Sequence, residues 1–412
     1  MYNLVDFFSI LLLIIITLYI ASRWPAVSKI LLIALAVRLI FLFVNNHIFY
    51  LPDGDMDAKN YEQFAWENSQ DGFLNNFNNF DGPNAYFYSV MLAIPYSLFG
   101  RSVLLAQSLS ILVGIGSVFL GWLLAKKLWD NSTAIKVAWS IALFPTLVSY
   151  SVLTMREVYV SFFLLLAMYG VVNWVRHKRY KSIVIVTIGF VGATFFHGSS
   201  IIGLFVFLFI VILESFKKAF KSLLILRINL KILSIIILCS FILGLYFTNK
   251  ISLPYLQTFS RSSSPAFLTE TINLKVKGDA AYPEWTKINS NIELLYKIPI
   301  RSVYFIFSPF PWDVSKKSHL VGVLDSFLYM ILVYLIFCNR KAIWKDPALR
   351  IILIILLTFI VVYGVGVGNF GSGIRHRSKF TIEFILLAAP LIPRFIFSNK
   401  KKIKNILDKL YM

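Results

Sequence analysis

Apolar runs long enough to cross a lipid bilayer recur along this whole chain, and that recurrence limits its folds more than anything else in the sequence. A spanning helix needs about 20 mostly apolar residues. Runs of that kind lie at 4–20, 30–46, 103–125, 134–153, 157–175, 182–196, 199–214, 231–248, 320–337, 350–366 and 380–396 of the 412 residues. Five stretches, 102–125, 137–155, 158–175, 232–249 and 351–374, contain no Asp, Glu, Lys or Arg. The cost of placing a charge in hydrocarbon explains those blanks. The expected fold is therefore an all-α polytopic membrane protein with about eleven transmembrane helices, since a chain in lipid must satisfy its backbone polar groups internally. Residues 1–22 lack a basic leader and a small-residue cleavage site. They read as a retained helix.

Charge then orients the spans. Lys+Arg number 40 and Asp+Glu 20, a formal net charge of +20, while charged residues make up only 15% of the chain. In a soluble protein such an excess would suggest nucleic acid; here the basic residues sit between spans, and no nucleic-acid partner is expected. Arg23 and Lys29 follow the first span, Lys126, Lys127 and Lys136 the third, Arg176, Lys178, Arg179 and Lys181 the fifth. Lys217, Lys218, Lys221, Arg227 and Lys231 follow the seventh, Arg340, Lys341, Lys345 and Arg350 the ninth, and a basic tail occupies 397–412. Alternating spans put all of these on one side, which the positive-inside rule makes cytoplasmic. The run at 85–99 is too short for a crossing. It is expected as a re-entrant or interfacial helix in a first outer loop, 47–101. A second outer loop covers 249–319, where helices lying on the membrane surface are expected. The whole of 1–412 reads as one transmembrane domain. Cys239 and Cys338 both fall in apolar runs and support neither a disulfide framework nor a Cys metal site.

The outer face collects the unusual residues. The first outer loop holds Asp53, Asp55, Asp57, Glu62, Glu67, Asp71 and Asp81 against one base, Lys59. Asp53, Asp55 and Asp57 have the spacing of a calcium loop but lack its turn glycine and its twelfth-position Glu. Arg156 and Glu157 stand side by side at the outer end of two spans, where they could serve only as an interfacial anchor. His197 sits between two spans in Phe-Phe-His-Gly-Ser-Ser, a place where a helix-capping role is the simpler reading. Arg375, His376, Arg377 and Lys379 follow a glycine-rich stretch at 364–373 and break the charge rule by lying on the outer side. Four basic groups there need an anionic partner, and the planar guanidinium fork suits phosphate oxygens. The acidic first loop is the alternative partner. Glu383 follows shortly after, and Arg38 lies in the middle of a span, where it is expected to pair inside the bundle.

Taken in order, these segments resemble the GT-C membrane glycosyltransferases, most closely the branch of protein O-mannosyltransferases and lipid A aminoarabinose transferases. Asp57-Ala-Lys-Asn-Tyr61-Glu-Gln-Phe-Ala65 is similar to the Asp-x3-Tyr-x3-Ala pattern of that branch's first outer loop, and Asp81-Gly-Pro83-Asn-Ala-Tyr86 to the acid and proline that open its next helix. Phe99-Gly100-Arg101-Ser102, Phe144-Pro145 with Arg156-Glu157, and the late Arg375-His376-Arg377 are similar as well. An extra first helix and the single Pro83 depart from the pattern. The resemblance spans roughly 30–395 and rests on short motifs in a shared order.

The resemblance implies a GT-C-like fold and a polyprenyl-phosphate-linked sugar as donor. Asp57 is the implied base, with Asp55 as fallback, and Asp81 a second acid that positions the acceptor or a metal. Tyr61, Arg156, Glu157, Arg375, His376 and Arg377 belong to the expected substrate-binding set, with the Arg375–Arg377 triplet as the phosphate clamp, and the reading of the residues themselves adds His197 and Lys379. A divalent cation, Mg2+ or Mn2+, held by Asp57 and Asp81 is left open, and chelation would decide it. The expected protein is a glycosyltransferase of bacterial cell-envelope polysaccharide biosynthesis, working on the extracytoplasmic face of the inner membrane on a glycan or lipid acceptor among membrane lipids. Two alternatives remain at this point. A polysaccharide polymerase joining lipid-linked repeat units would need the same groups, and a lipid-linked-glycan flippase would move its cargo without covalent turnover.

Overall fold

The computed structural model describes residues 4–72, 86–223, 273, 276, 278–316 and 319–394. These are all-helical: no strand occurs among the described residues, only an isolated bridge between Ala281 and Asn369. The helices are α1 (Leu4–Arg23), α2 (Pro25–His47), α3 (Asp57–Ser69), α4 (Phe87–Phe99), α5 (Val103–Leu128), α6 (Asn131–Leu143), α7 (Pro145–Val152) and α8 (Glu157–His177). They continue as α9 (Tyr180–Phe196), α10 (Ile201–Leu223), α11 (Asn291–Phe307), α12 (His319–Cys338), α13 (Arg340–Lys345), α14 (Pro347–Gly366), α15 (Phe370–Arg377) and α16 (Thr381–Ala388).

Seven of the described helical segments are long and apolar enough to cross a membrane, or eight if a bent pair counts as one span. The protein is thus a polytopic membrane protein by length and composition. Four of the expected runs account for the difference from eleven. The run at 134–153 is broken into α6 and α7, bent by 53°. Pro145 explains the break, because the residue before a proline is pushed out of the helical region, and Phe144 is extended at φ −64°, ψ 121°. The run at 182–196 is α9, 17 residues, and about 26 Å at 1.5 Å per residue is shorter than a bilayer's ~30 Å core. The run at 380–396 is not one long helix: α16 has 8 residues, every one of them buried, and gives way to a 3-10 turn containing Pro390. The run at 231–248 lies outside the described residues, as do 249–272 of the second outer loop and the tail.

The run at 85–99 is the short helix α4, 13 residues. It packs on α3, where Ser89 Oγ donates to Tyr61 O at 2.7 Å. The described part of the second outer loop departs from a simple surface arrangement. Its α11 packs along α14, so closely that a Cβ on Gly364 would stand 2.7 Å from Ser302 Cα. Small residues at helix crossings are the usual packing device in membranes. The α8–α9 pair uses it too: a Cβ on Gly170 would meet Val186 N at 2.7 Å.

Polar contacts separate the two ends of the bundle. At one end Arg176 pairs with Asp346, Lys127 Nζ reaches Asn173 Oδ1 at 2.6 Å, and Lys136 Nζ reaches Pro390 O at 2.9 Å. The loops after the expected third, fifth and ninth spans therefore share an end, as alternation requires. Arg38 is buried in α2 and pairs inside the bundle as expected. Its partners are carbonyls, Ala34 O and Ala142 O, each at 3.2 Å. Buried Arg301 of α11 donates to Thr286 O at 3.1 Å and, in the last turn of α14 and just past it, to Gly364 O, Val365 O and Val367 O at 3.3, 3.0 and 2.7 Å. It satisfies helix-end carbonyls that would otherwise be orphaned, and so fixes the turn that leads into α15.

Candidate functional site

The opposite end of the bundle gathers titratable groups from five parts of the chain. Asp57 opens α3, a position where the helix dipole favours an acid. Arg156 caps α8 and Glu157 is its first residue. His197 ends α9, and Tyr363 lies in the last turn of α14. Arg375 and His376 lie in the last turn of α15, where cations are favoured. Asn369 starts that helix, its side chain accepting from Ser372 N at 2.7 Å.

The first outer loop and the late basic cluster meet here: Arg375 pairs with Asp57 across 318 positions of sequence. Glu157, 2% exposed at its side chain, lies between two cations, with Oε1 3.8 Å from Arg375 Nε and 3.7 Å from Lys379 Nζ. Its Oε2 has no hydrogen-bond partner among the described residues. Lys379 Nζ stands 2.8 Å from His376 Nδ1 and 5.7 Å from the centre of the Tyr363 ring. His197 Nδ1 lies 2.8 Å from the Tyr363 hydroxyl and 2.9 Å from Ser199 Oγ, and the two histidine rings are 5.2 Å apart. Arg156 lies over the Tyr61 ring at 5.5 Å.

Burial and crowding by cations shape the electrostatics. Burial, then the charges of Lys379, His197, Arg375 and Arg156, holds His376 well below the usual histidine range. Burial also lowers Arg375, opposed by Asp53. It pulls Lys379 well down too, against the Glu157 carboxylate. These are the conditions in which a bound anion gains most, because it returns to several cations the counter-charge that desolvation has made costly to lack.

Neutral His376 carries a stability prediction. Its folded pKa lies below the ordinary ~6.5, so below that pH the unfolded chain takes up a proton that the native chain does not. The stability contribution is complete above pH ~6.5 and is lost as pH falls towards the folded value, by up to about 1.4 kcal/mol per pH unit. His376→Asn is expected to flatten the fall of melting temperature between pH 7 and pH 5, roughly the window of histidine titration. Parallel wild-type and variant pH profiles would remove His376 as its source.

Several predicted residues lie elsewhere. Arg377 is a correction. It is 1% exposed, and all five of its N–H donors are engaged: Nε and Nη2 to Asp325 Oδ2 at 2.9 and 2.6 Å, Nη2 also to Ser326 Oγ at 3.0 Å, and Nη1 to Ile306 O and Ser308 O at 2.8 and 2.6 Å. It has nothing left for a phosphate. Helix phase is the reason, since residues two apart point roughly 200° apart. Arg375 therefore faces α3 and α8 while Arg377 faces α12. Asp55, exposed just before α3, pairs with Lys59. Asp81 lies outside the described residues. Among the described residues no three His, Cys, Asp or Glu side chains gather as a metal site.

Two members did not stand out in the sequence. Tyr363 is hidden in a charge-free apolar run, and Ser199 is one of two serines after His197. Asp53, one of the three closely spaced acids of the first outer loop, accepts from the Tyr150 hydroxyl at 2.9 Å. Asp325 had a readable signal, a lone acid inside the 320–337 run.

Two cavities flank this end. An apolar aromatic cleft of ≈380 Å³ is lined by Phe87, Met91, Tyr159, Phe162, Phe163 and Phe195 among others. It adjoins the cluster in the chain, since Phe196, another lining residue, directly precedes His197, and Tyr159 is two positions after Glu157. A larger cavity of ≈770 Å³ lies against α3 and is lined by polar side chains together with Ala58, Val103, Leu104 and Leu153. No family model matches the chain, and neither a curated protein nor a solved structure matches it.

Proposed function

We propose that this protein is a GT-C-like glycosyltransferase that moves a sugar from a polyprenyl-phosphate donor to a glycan or lipid acceptor. On this reading the described spans belong to a set of about eleven, and the cluster opens to the extracytoplasmic face of a bacterial inner membrane. The observation that carries the proposal is the Arg375–Asp57 pair, set beside Glu157 and Lys379. It puts an acid fit for base work and cations fit for a phosphate in one place.

The chemistry follows from that placement. The Asp57 carboxylate takes the proton of the acceptor hydroxyl, whose oxygen forms a bond to the anomeric carbon. The bond from that carbon to the phosphate oxygen breaks, and the lipid phosphate leaves with the electron pair. Attack opposite the leaving group inverts the anomeric carbon. Arg375, with Lys379 and Arg156 nearby, meets the charge on the departing phosphate. Without donor, Arg375 is occupied by Asp57. A donor phosphate competes for the guanidinium and frees the carboxylate, so base and leaving-group site are prepared together. The aromatic cleft beside His197 suits the isoprenoid tail, which it can cover without desolvating polar groups.

Purified protein incubated with polyprenyl-phosphate-linked sugars and a lipid-linked glycan is expected to release free polyprenyl phosphate, detected by mass spectrometry. Arg375→Ala is expected to raise the donor KM and to lower kcat. Arg375→Lys is expected to recover only part of either, because it keeps the charge and loses the planar fork. Transport of an intact lipid-linked glycan without release of lipid phosphate would overturn the proposal. So would products lengthened by whole repeat units, which would make the protein a polymerase.

A further inference from the structure

We infer that the ≈770 Å³ cavity between α1, α2, α3 and α5 is a binding site for the uncharged, hydroxyl-rich part of a glycan. In this role it holds the acceptor, which rests on the reading of Asp57 as the base.

The volume falls within the about 300–1,000 Å³ usual for small-molecule sites, and the lining decides the ligand class. Five of the lining side chains are amides: Asn45 and Asn46 of α2, Asn60 and Gln63 of α3, and Gln107 of α5. An amide offers donors and acceptors on one rigid group, which is what vicinal hydroxyls need. Asn46 and Gln107 face each other in a reciprocal pair, Asn46 Nδ2 to Gln107 Oε1 at 3.0 Å and Gln107 Nε2 to Asn46 Oδ1 at 3.1 Å. Each nitrogen uses one N–H there and keeps a second.

The charges of the lining cancel, Asp6 and Glu62 against Lys59 and Arg101. Glu62 is held in a fork by Arg101, at 3.0 and 2.7 Å, and also accepts from Tyr96 OH at 3.1 Å. Asp6 accepts from Ser102 Oγ at 2.5 Å. A phosphate or a carboxylated sugar would find no surplus cation here, in contrast to the cluster around Arg375. A lipid tail would leave the second N–H of Asn46 and of Gln107 without a partner, at the cost of burying polar groups unsatisfied.

The position is as telling as the chemistry. Ala58 lines the cavity, and its neighbour Asp57 is bound to Arg375. Thr154 lines it as well, with its hydroxyl on Ala58 O at 2.7 Å, two residues before Arg156. Two walls of the cavity thus run directly into the cationic cluster. The first turn of α3 stands between a neutral polar site and an anion site, and it carries the base.

A glycan array probed with fluorescently labelled, detergent-solubilised full-length protein tests this, using neutral and acidic oligosaccharides side by side. Wild type is expected to bind neutral glycans. Asn46→Ala and the cavity-filling Asn60→Trp, both at exposed positions, are expected to lower that binding by about tenfold or more, the loss of one good polar contact. Asp57→Asn is expected to retain it. Binding of acidic glycans alone, binding of none, or binding that neither variant changes would overturn the inference. The two readings fail separately. Neutral-glycan binding that the cavity variants abolish, in a protein that releases no lipid phosphate, keeps the site and removes the transferase. Sugar transfer whose acceptor KM is untouched by Asn46→Ala and Asn60→Trp keeps the transferase and removes the site.

Discussion

On the proposed reading, Asp57→Asn is expected to lower sugar transfer by about 10²–10⁴-fold, the usual loss when a general base is removed, in a protein that still inserts and folds. The side chain is 42% exposed, and its amide replacement can still accept a bond from Arg375, so stability barely changes. The carboxylate proposed to take the proton is what disappears. Asp55→Asn is the matched control: it removes an exposed contact to Lys59, of a kind that contributes little. Transfer should therefore stay near wild type. The measurement is release of free polyprenyl phosphate in single-turnover reactions, with melting temperature recorded in parallel. A wild-type-like Asp57→Asn with a dead Asp55→Asn would move the base two residues back. Full activity in both would remove the first outer loop from the chemistry.

Arg377→Ala gives the second large effect, on stability. Asp325 would remain as a 4%-exposed carboxylate with its cation gone, and the carbonyls of Ile306 and Ser308 would lose their donor. Breaking a buried ion pair from one side costs about 3–5 kcal/mol. The expected results are a large fall in detergent-resistant folded protein and in melting temperature. The paired change Arg377→Met with Asp325→Leu should recover most of the loss, because it removes both charges together. If Arg377→Ala instead leaves the melting curve alone and abolishes donor binding, the phosphate role predicted for the whole triplet is restored.

The contrast between these two arginines marks how far the sequence could be read. The meeting of an acidic first loop with a late basic cluster was legible, because both broke the charge pattern of the chain and both needed counter-ions. Arg375–Asp57 is that meeting. The division of labour within Arg375-His376-Arg377 was not legible. It depends on the phase of one short helix against α8 and α12, and three adjacent basic residues carry no such phase in one dimension. Apolar length, likewise, located the runs but not their form. Pro145 and Pro390 turn two of them into broken or short helices, while Tyr363 was camouflaged by belonging to a run whose only visible property was greasiness. Arg38 shows the same limit differently: that it pairs inside the bundle followed from its depth, and that its partners are carbonyls did not.

One consequence follows from how α15 is held. One side of it is bolted to α12 through Arg377, and the turn before it is clamped by Arg301. The opposite side presents Arg375. Anchored at both places, the helix is a braced mount for the Arg375 guanidinium, so a phosphate that displaced Asp57 would be accommodated first by the side chains of Arg375 and the 42%-exposed Asp57 rather than by a shift of α15.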